Sequence, residues 1–435
     1  MTCVNGETTT YVGMPGPTVL QEGRHEGTGG RYFEVVTPTV QRIVRNHFNC
    51  DRMKGARLEN QPTGNDCFGS HWDEMLHYTE IMSAVFSQSV NILSPLTLAY
   101  LEDSGWYRAN YESEYVQISM FGHGAGCDFI ETNCIDSYGN VPEVFEEQFC
   151  NTPISISSAG LIETASSKQT CDPSHVQKTY CDFVNTNEVV MIGKQGTVLE
   201  PAPPKFQYVE DAPNMRPYVF TNADYCPVPH LDPQSCLEYS GRSMSSEQKE
   251  AGETYGPNSR CIETDGSRNY SLCLQTRCNA RLGKVQIMAG GQQRTCQYDG
   301  QIHKILYNYN GNGDLTIKCP KAALICPNLF CPANCAGRGT CRYATDRYDD
   351  DYSNDDGYDT SSSALAQCVC NSDEDFTAGC FESELTFPAV YGYTYENPNK
   401  ANKTLFMIIV GSLIAGLAVL FVAVRQYKAR QNVFM

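Results

Sequence analysis

Apolar and polar positions change rhythm several times along the chain. Residues 1–35 are rich in Gly and Thr with little hydrophobic periodicity, and read as loop with one short strand. From Thr37 the pattern becomes helical. In TPTVQRIVRNHF, Val40, Ile43, Val44 and Phe48 recur at helical spacing behind Pro38, which predicts an amphipathic helix ending near Cys50. A second helix is predicted over residues 95–102, with Ser94 as N-cap and Pro95 in the first helical position. Residues 134–325 show short mixed strands broken by many turns, with loop segments at 201–204 and 213–217. Residues 405–424, LFMIIVGSLIAGLAVLFVAV, differ in kind: twenty positions carry no charge. At about 1.5 Å per residue such a helix is about 30 Å long, the thickness of the hydrocarbon core. A buried core helix is the weaker reading for so long an uncharged run, so a single transmembrane helix is expected. Arg425, Lys428 and Arg430 follow at once, which puts the tail 425–435 on the cytosolic side and the preceding chain outside.

Composition agrees with that topology. The 435 residues include 22 cysteines, spread from Cys3 to Cys380. An even count so widely spread suits a disulfide framework in an oxidising compartment. Zinc clusters are the competing explanation, but no pair of C-x-x-C motifs stands at zinc-ribbon spacing. The formal charge is −18, from 50 acidic and 32 basic side chains, and no basic stripe stands out, so nucleic acid is not an expected partner. The opening MTCVNGETTTYVGMPG has neither a basic n-region nor an apolar h-region and is not a signal peptide. A disulfide-rich chain with a cytosolic tail must still cross a membrane, so the natural start is expected upstream of Met1. No P-loop, dinucleotide fingerprint or G-x-S-x-G is present.

The candidate chemistry centres on residues 69–107, GSHWDEMLHYTEIMSAVFSQSVNILSPLTLAYLEDSGWY. His71 sits in SHW, Met82 in TEIM, and SPLTLAYLEDSGWY follows. This resembles the leishmanolysin family, surface zinc metallopeptidases of the metzincin group. The resemblance implies that His71 is the third zinc ligand and that Met82 makes the turn beneath the metal. A lone histidine beside an aromatic is usually structural; the surrounding run is what favours ligation. Asp73 stands where the family usually has Glu. Glu80 matches an acidic position to which no role is assigned, and His77 is unmatched. The likeness extends to Thr37-Pro38, Val40, His47-Phe48, Cys50, Gly55 and Leu58-Glu59. It continues through FGHGAGCDF at 121–129, where Phe121 replaces Trp and His123 is not at a ligand position. GETYGPNSRC at 252–261, CLQTRCN at 273–279 and IKCP at 317–320 carry it to about residue 326.

The H-E-x-x-H motif that would supply two further histidines and the general base does not occur in the sequence. His25-Glu26 begins like it, but the fifth residue is Gly29, and Gly27 and Gly29 would weaken a helix. Zinc peptidases hold the metal with three protein ligands and keep one position for water. One zinc ion is therefore expected in a complete molecule, with no catalytic residue in this chain, which is expected to be inactive alone.

The last cysteines form CPANCAGRGTC…CVCNSDEDFTAGC, which resembles an EGF-like module. Six cysteines, Cys331, Cys335, Cys341, Cys368, Cys370 and Cys380, staple a segment too small for its own core. Spacing alone leaves fifteen connectivities open; the resemblance implies first to third, second to fourth and fifth to sixth. The 26 residues between Cys341 and Cys368 hold seven Asp from Asp346 to Asp359. An EF-hand pattern fails, since the sixth position after Asp351 is Asp356 rather than Gly, and a solvated loop is expected. Asn269 and Asn402 begin glycosylation sequons.

The expected fold class is α+β: the C-terminal half of a metzincin-type catalytic domain (1–110), then a disulfide-rich mixed region (111–325). An EGF-like module (326–383), a stalk (384–404), one transmembrane helix (405–424) and a cytosolic tail (425–435) complete it. The expected function is a membrane-anchored zinc metalloendopeptidase acting on extracellular or surface proteins at the cell membrane, with a part in adhesion. The alternative is a non-catalytic surface protein that binds through its cysteine-rich and EGF-like regions.

Overall fold

The computed structural model describes residues 15–25, 30–59, 71–83, 85, 91–136, 138, 140–156, 162–163, 166–185, 215–216, 223–239, 241, 243–266, 268–279, 284–326, 330–343 and 366–383. All of them belong to one compact unit, Met1–Thr386. The stalk, the predicted span at 405–424, the tail, the acidic insertion and Asn402 lie outside the described residues. Among the described residues no helix is long and apolar enough to cross a membrane.

The N-terminal segment forms a hairpin, β1 (Leu20–Arg24) with β2 (Arg31–Val35), rather than loop with a single strand. β3 (Ala56–Arg57) adds to the far edge of β2. Only Leu20 of β1 is buried, so the strand owes its existence to pairing with β2, a register that five residues of sequence do not announce. α1 (Pro38–Phe48) follows the predicted helix, and Val40, Ile43, Val44 and Phe48 are its buried face. α2 (Glu74–His77) is one turn, and α3 (Pro95–Asp103) starts as expected, with Ser94 Oγ accepting the Leu96 N–H at 3.1 Å.

α4 (Cys127–Glu131) follows a glycine-rich loop that closes over the end of α1. Gly124 N–H donates to the His47 carbonyl (2.7 Å) and Gly126 N–H to the Phe48 carbonyl (2.6 Å), filling acceptors the helix terminus leaves open. Gly122, with φ of 69°, packs so tightly that a Cβ there would lie 2.4 Å from Phe48 Cε1. Cys50–Cys127 ties the same two elements covalently.

β4 (Gln169–Cys171), β5 (Gln177–Cys181), a short pair of β6 (Val184–Asn185) and β7 (Met215–Arg216), and β8 (Pro229–Ser235) come next, with β8 returning beside β5. α5 (Ser246–Ala251) leads into a four-stranded antiparallel sheet of β9 (Ser259–Ile262), β10 (Leu272–Asn279), β11 (Lys284–Ala289) and β12 (Gln292–Thr295). β13 (Ile302–Leu306) pairs with β14 (Leu315–Lys318), α6 (Ala322–Ile325) follows, and β15 (Gly339–Tyr343) pairs with β16 (Ala366–Cys370). The chain is thus a mixed, disulfide-rich fold of short helices and antiparallel strands.

One core runs from Leu20 to Val228 around α1 and the ring cluster Phe48, Phe121, Phe129, Phe145 and Phe149. The sequence-based division at residue 110 falls inside it. A second core lies under β10, β11 and β14, lined by Leu272, Leu274, Ile287, Leu315 and Ile317. Ten disulfides join the described cysteines, and none of those is free.

Several histidines are sealed in the first core. Burial pulls the His47 pKa down to about 4, although Nε2 bonds the Phe121 carbonyl at 2.8 Å. The unfolded chain takes up that proton near pH 6.5 and the folded chain only near pH 4, so the folded state binds fewer protons between those values. The associated stability is complete above about pH 6.5 and lost as pH falls towards 4, about 3 kcal/mol from this group. The expected outcome is a urea midpoint that drops on acidification from pH 7 to 4, with a visibly shallower drop in His47→Gln.

Candidate metal centre

Both termini of α3 serve the site. At its end, Asp103 Oδ2 accepts the N–H groups of Thr39 (2.9 Å) and Val40 (3.1 Å), capping α1, which has no side-chain cap of its own. At its start, Ser94 and Thr97 face the buried carboxylate of Glu80. Glu80 Oε1 accepts from Ser94 Oγ (2.8 Å) and Thr97 Oγ1 (2.7 Å), and Oε2 accepts the Met82 N–H at 2.6 Å. Burial raises the Glu80 pKa above the usual carboxylate range, and these donors oppose the shift. Thr97 Oγ1 also receives the Trp72 indole N–H at 3.1 Å. A single helix terminus therefore holds the Met82 turn and the residue next to His71.

His71 is fixed by its neighbours on both sides. Its carbonyl accepts the Glu59 N–H (3.1 Å), and the Trp72 N–H donates to the Met82 carbonyl (2.9 Å). His71 Nδ1 lies 2.9 Å from Oε1 of Glu59, whose side chain is 6% exposed, whereas that of His71 is 42% exposed. An ionised carboxylate only accepts, so the bond assigns a proton to Nδ1, and in the neutral imidazole the lone pair then stands on Nε2. A buried carboxylate orienting a half-exposed imidazole is the arrangement found behind metal-ligating histidines. The residues present thus fit one zinc-ligand position. Met82 stays 40% exposed, so plain core packing does not account for it.

The remaining candidates resolve differently. Asp73 caps α2, with Oδ1 accepting the Met75 N–H at 2.8 Å, and burial raises its pKa to about 6 against the pull of Arg57. His77 is buried between the rings of Phe48 (5.5 Å) and Trp72 (6.2 Å). His123 packs on Phe330 (4.4 Å). Among the described residues no group of three metal-ligating side chains includes His71. The groups that do occur join His303 with Cys296 and Cys319, or use Cys331, Cys335, Cys341, Cys368 and Cys380, and every cysteine among them is in a disulfide, whose sulfurs are not thiolates. Cys331 bonds Cys341, Cys335 bonds Cys368 and Cys370 bonds Cys380. Asn269 is exposed, and Ser271 Oγ is buried, donating to the Gln169 carbonyl at 3.0 Å. Sequence reasoning assigned no role to Glu59 or Glu80. Their signals were the LE pair ahead of His71 and the acidic residue before Met82.

Residues 28–331 match the leishmanolysin family, peptidase M8. The chain belongs to that family of zinc metallopeptidases. Among its leishmanolysin relatives is the leishmanolysin-like peptidase of Caenorhabditis elegans, 27% identical over 350 residues, which cover 73% of this chain and 49% of that protein. That of Drosophila melanogaster is 27% identical over 339 residues, 71% of this chain and 45% of that protein. The ciliated left-right organizer metallopeptidase of Danio rerio is 37% identical over 95 residues, 21% of this chain and 15% of that protein. The chain spans about half the length of the leishmanolysin-like relatives it matches.

Removing the Glu80 carboxylate strands several buried donors at once. Glu80→Ala is expected to cost about 3 kcal/mol in urea unfolding. Trp72 and the 84%-exposed Trp106 are the only tryptophans. In a Trp106→Phe background, Glu80→Ala should therefore shift Trp72 emission to the red.

Proposed function

We propose that this leishmanolysin-family chain forms the third-ligand side of a membrane-anchored zinc endopeptidase that acts on extracellular or surface proteins. The carrying observation is the pair His71 and Glu59, an exposed imidazole oriented by a buried carboxylate, beside Trp72, whose N–H bonds the Met82 carbonyl. Zinc, when bound, lowers the pKa of a coordinated water to about 7 and polarises the scissile carbonyl. The chain's own part is positional: Glu59 holds the Nδ1 proton, Nε2 offers its lone pair, and the Met82 turn is locked by Glu80. One imidazole cannot retain a catalytic zinc, and the sequence holds no H-E-x-x-H. The 435 residues alone are therefore inactive as a peptidase.

Anchoring is assigned to residues 405–424, supported by their twenty uncharged positions and the basic residues after them. Segment 326–383 is read as an EGF-like module, supported by its alternating disulfide order across the β15–β16 pair. N-glycosylation is assigned to the exposed Asn269 and to Asn402. A second reading, a non-catalytic surface binder, is favoured by one observation: among the described residues His71 belongs to no group of three side chains able to hold a metal ion.

The test is made on the native protein immunopurified from its own cells. Expected are about one zinc per molecule, chelator-sensitive peptide hydrolysis, and loss of both in His71→Ala. Glu59→Gln should weaken zinc affinity roughly 10- to 100-fold. Undiminished zinc in His71→Ala, or chelator-sensitive turnover by the 435-residue chain alone, would overturn the reading.

A further inference from the structure

The three-disulfide segment is built into the fold that carries the metal turn. On α1, the buried Asn46 bonds three of its backbone groups: Nδ2 donates to the Asn334 (2.8 Å) and Gly339 (3.0 Å) carbonyls, and Oδ1 accepts the Cys341 N–H (3.0 Å). Arg42 Nη1 reaches Thr340 Oγ1 at 3.2 Å. Gly337 lies so close to Thr39 that a Cβ would sit 2.5 Å from its Cγ2. On α3, Glu102 accepts Arg338 Nη2 (2.9 Å) and the Tyr111 hydroxyl (3.0 Å), with both ion-pair side chains nearly buried. Residues 333–336 run through left-handed conformation, with φ between 45° and 58°. Such a run is costly for L-residues and persists only where surroundings over-determine it. Asn46, which holds the Asn334 carbonyl, is part of those surroundings.

α3 connects this docking to the site. Its last turn carries Glu102 and Asp103; its first carries Ser94 and Thr97, which fix Glu80, Met82 and Trp72. We propose that Asn46 and Glu102 are positioning residues for the metal turn, and that the docked three-disulfide segment sets where His71 and Met82 stand. The site's function as a metal centre rests on the reading above, but the clamp itself does not.

The test is amide hydrogen exchange on the disulfide-intact 435-residue chain. Asn46→Ala and Glu102→Ala should each speed exchange about tenfold or more at Cys341 and also at Trp72 and Met82, with β10 and β11 unchanged. Glu102→Gln, which keeps an acceptor for Arg338 and Tyr111, should return Trp72 and Met82 close to the wild-type rate. Faster exchange at Cys341 with Trp72 and Met82 unmoved would overturn the proposal. So would no change anywhere, or an equal rise in β10 and β11, which marks global loosening. Should Asn46→Ala not fold, Glu102→Ala reads the same outcome. Exchange is measured without metal, so a negative result here with zinc retained in the native protein removes the clamp and leaves His71 as ligand. The converse result leaves the clamp as structure alone.

Discussion

A carboxylate sealed from water must find donors, and Glu80 finds four: the Met82 N–H just after it in sequence, and the Ser94 N–H, Ser94 hydroxyl and Thr97 hydroxyl at α3's start. Satisfying it fixes the Met82 N–H, the N-cap of α3 and, through Thr97, the Trp72 indole. Without those donors the buried charge would be costly enough to expel the turn from the core. With them, the turn and the residue beside His71 become one rigid object. The exposed imidazole then needs only Glu59 behind it to have a defined direction.

α1 is stabilised in the same non-local manner. Its N-terminus is capped from α3 by Asp103 and its C-terminus by Gly124 and Gly126 of a loop some 75 residues further on. The left-handed Asn49 and the Cys50–Cys127 bridge complete the end. An eleven-residue helix is marginal in isolation, so these tertiary caps and its buried face are what hold it. The family's LEDSG and glycine-rich GCDF runs thereby acquire physical meanings. The first supplies Glu102 and Asp103 to two different neighbours. The second supplies positive-φ glycines, a bridging cysteine and Phe129 for the ring cluster.

The disulfides do a different task from the cores. Two join segments about 90 residues apart, Cys134–Cys226 and Cys171–Cys261, and Cys50–Cys127 spans 77. Closing such long loops restricts the unfolded chain most, which suits a mixed region whose strands are short and whose sheets have at most four members. The buried histidines act in the opposite sense, since each one held neutral by burial makes the folded state sensitive to acid.

The amino-acid sequence by itself determined α1 and α3, through apolar spacing, Pro38, Pro95 and the Ser94 cap, because those signals are local. It also determined the oxidising chemistry of the cysteines, the family and the candidacy of His71 and Met82, because a run such as SHW…LEDSGWY is specific at the level of residues. Only the tertiary structure decided what Glu59, Glu80, Glu102, Asp103 and Asn46 do. A carboxylate or amide in sequence carries no sign of its partner, and each of these meets donors or acceptors from 12 to 295 positions away or across a turn. The β1–β2 hairpin was decided there too, since a strand that buries one side chain is made by the strand it pairs with. So was the joining of residues on both sides of position 110 into one core: packing is a property of distance in space, and composition along the chain does not record it.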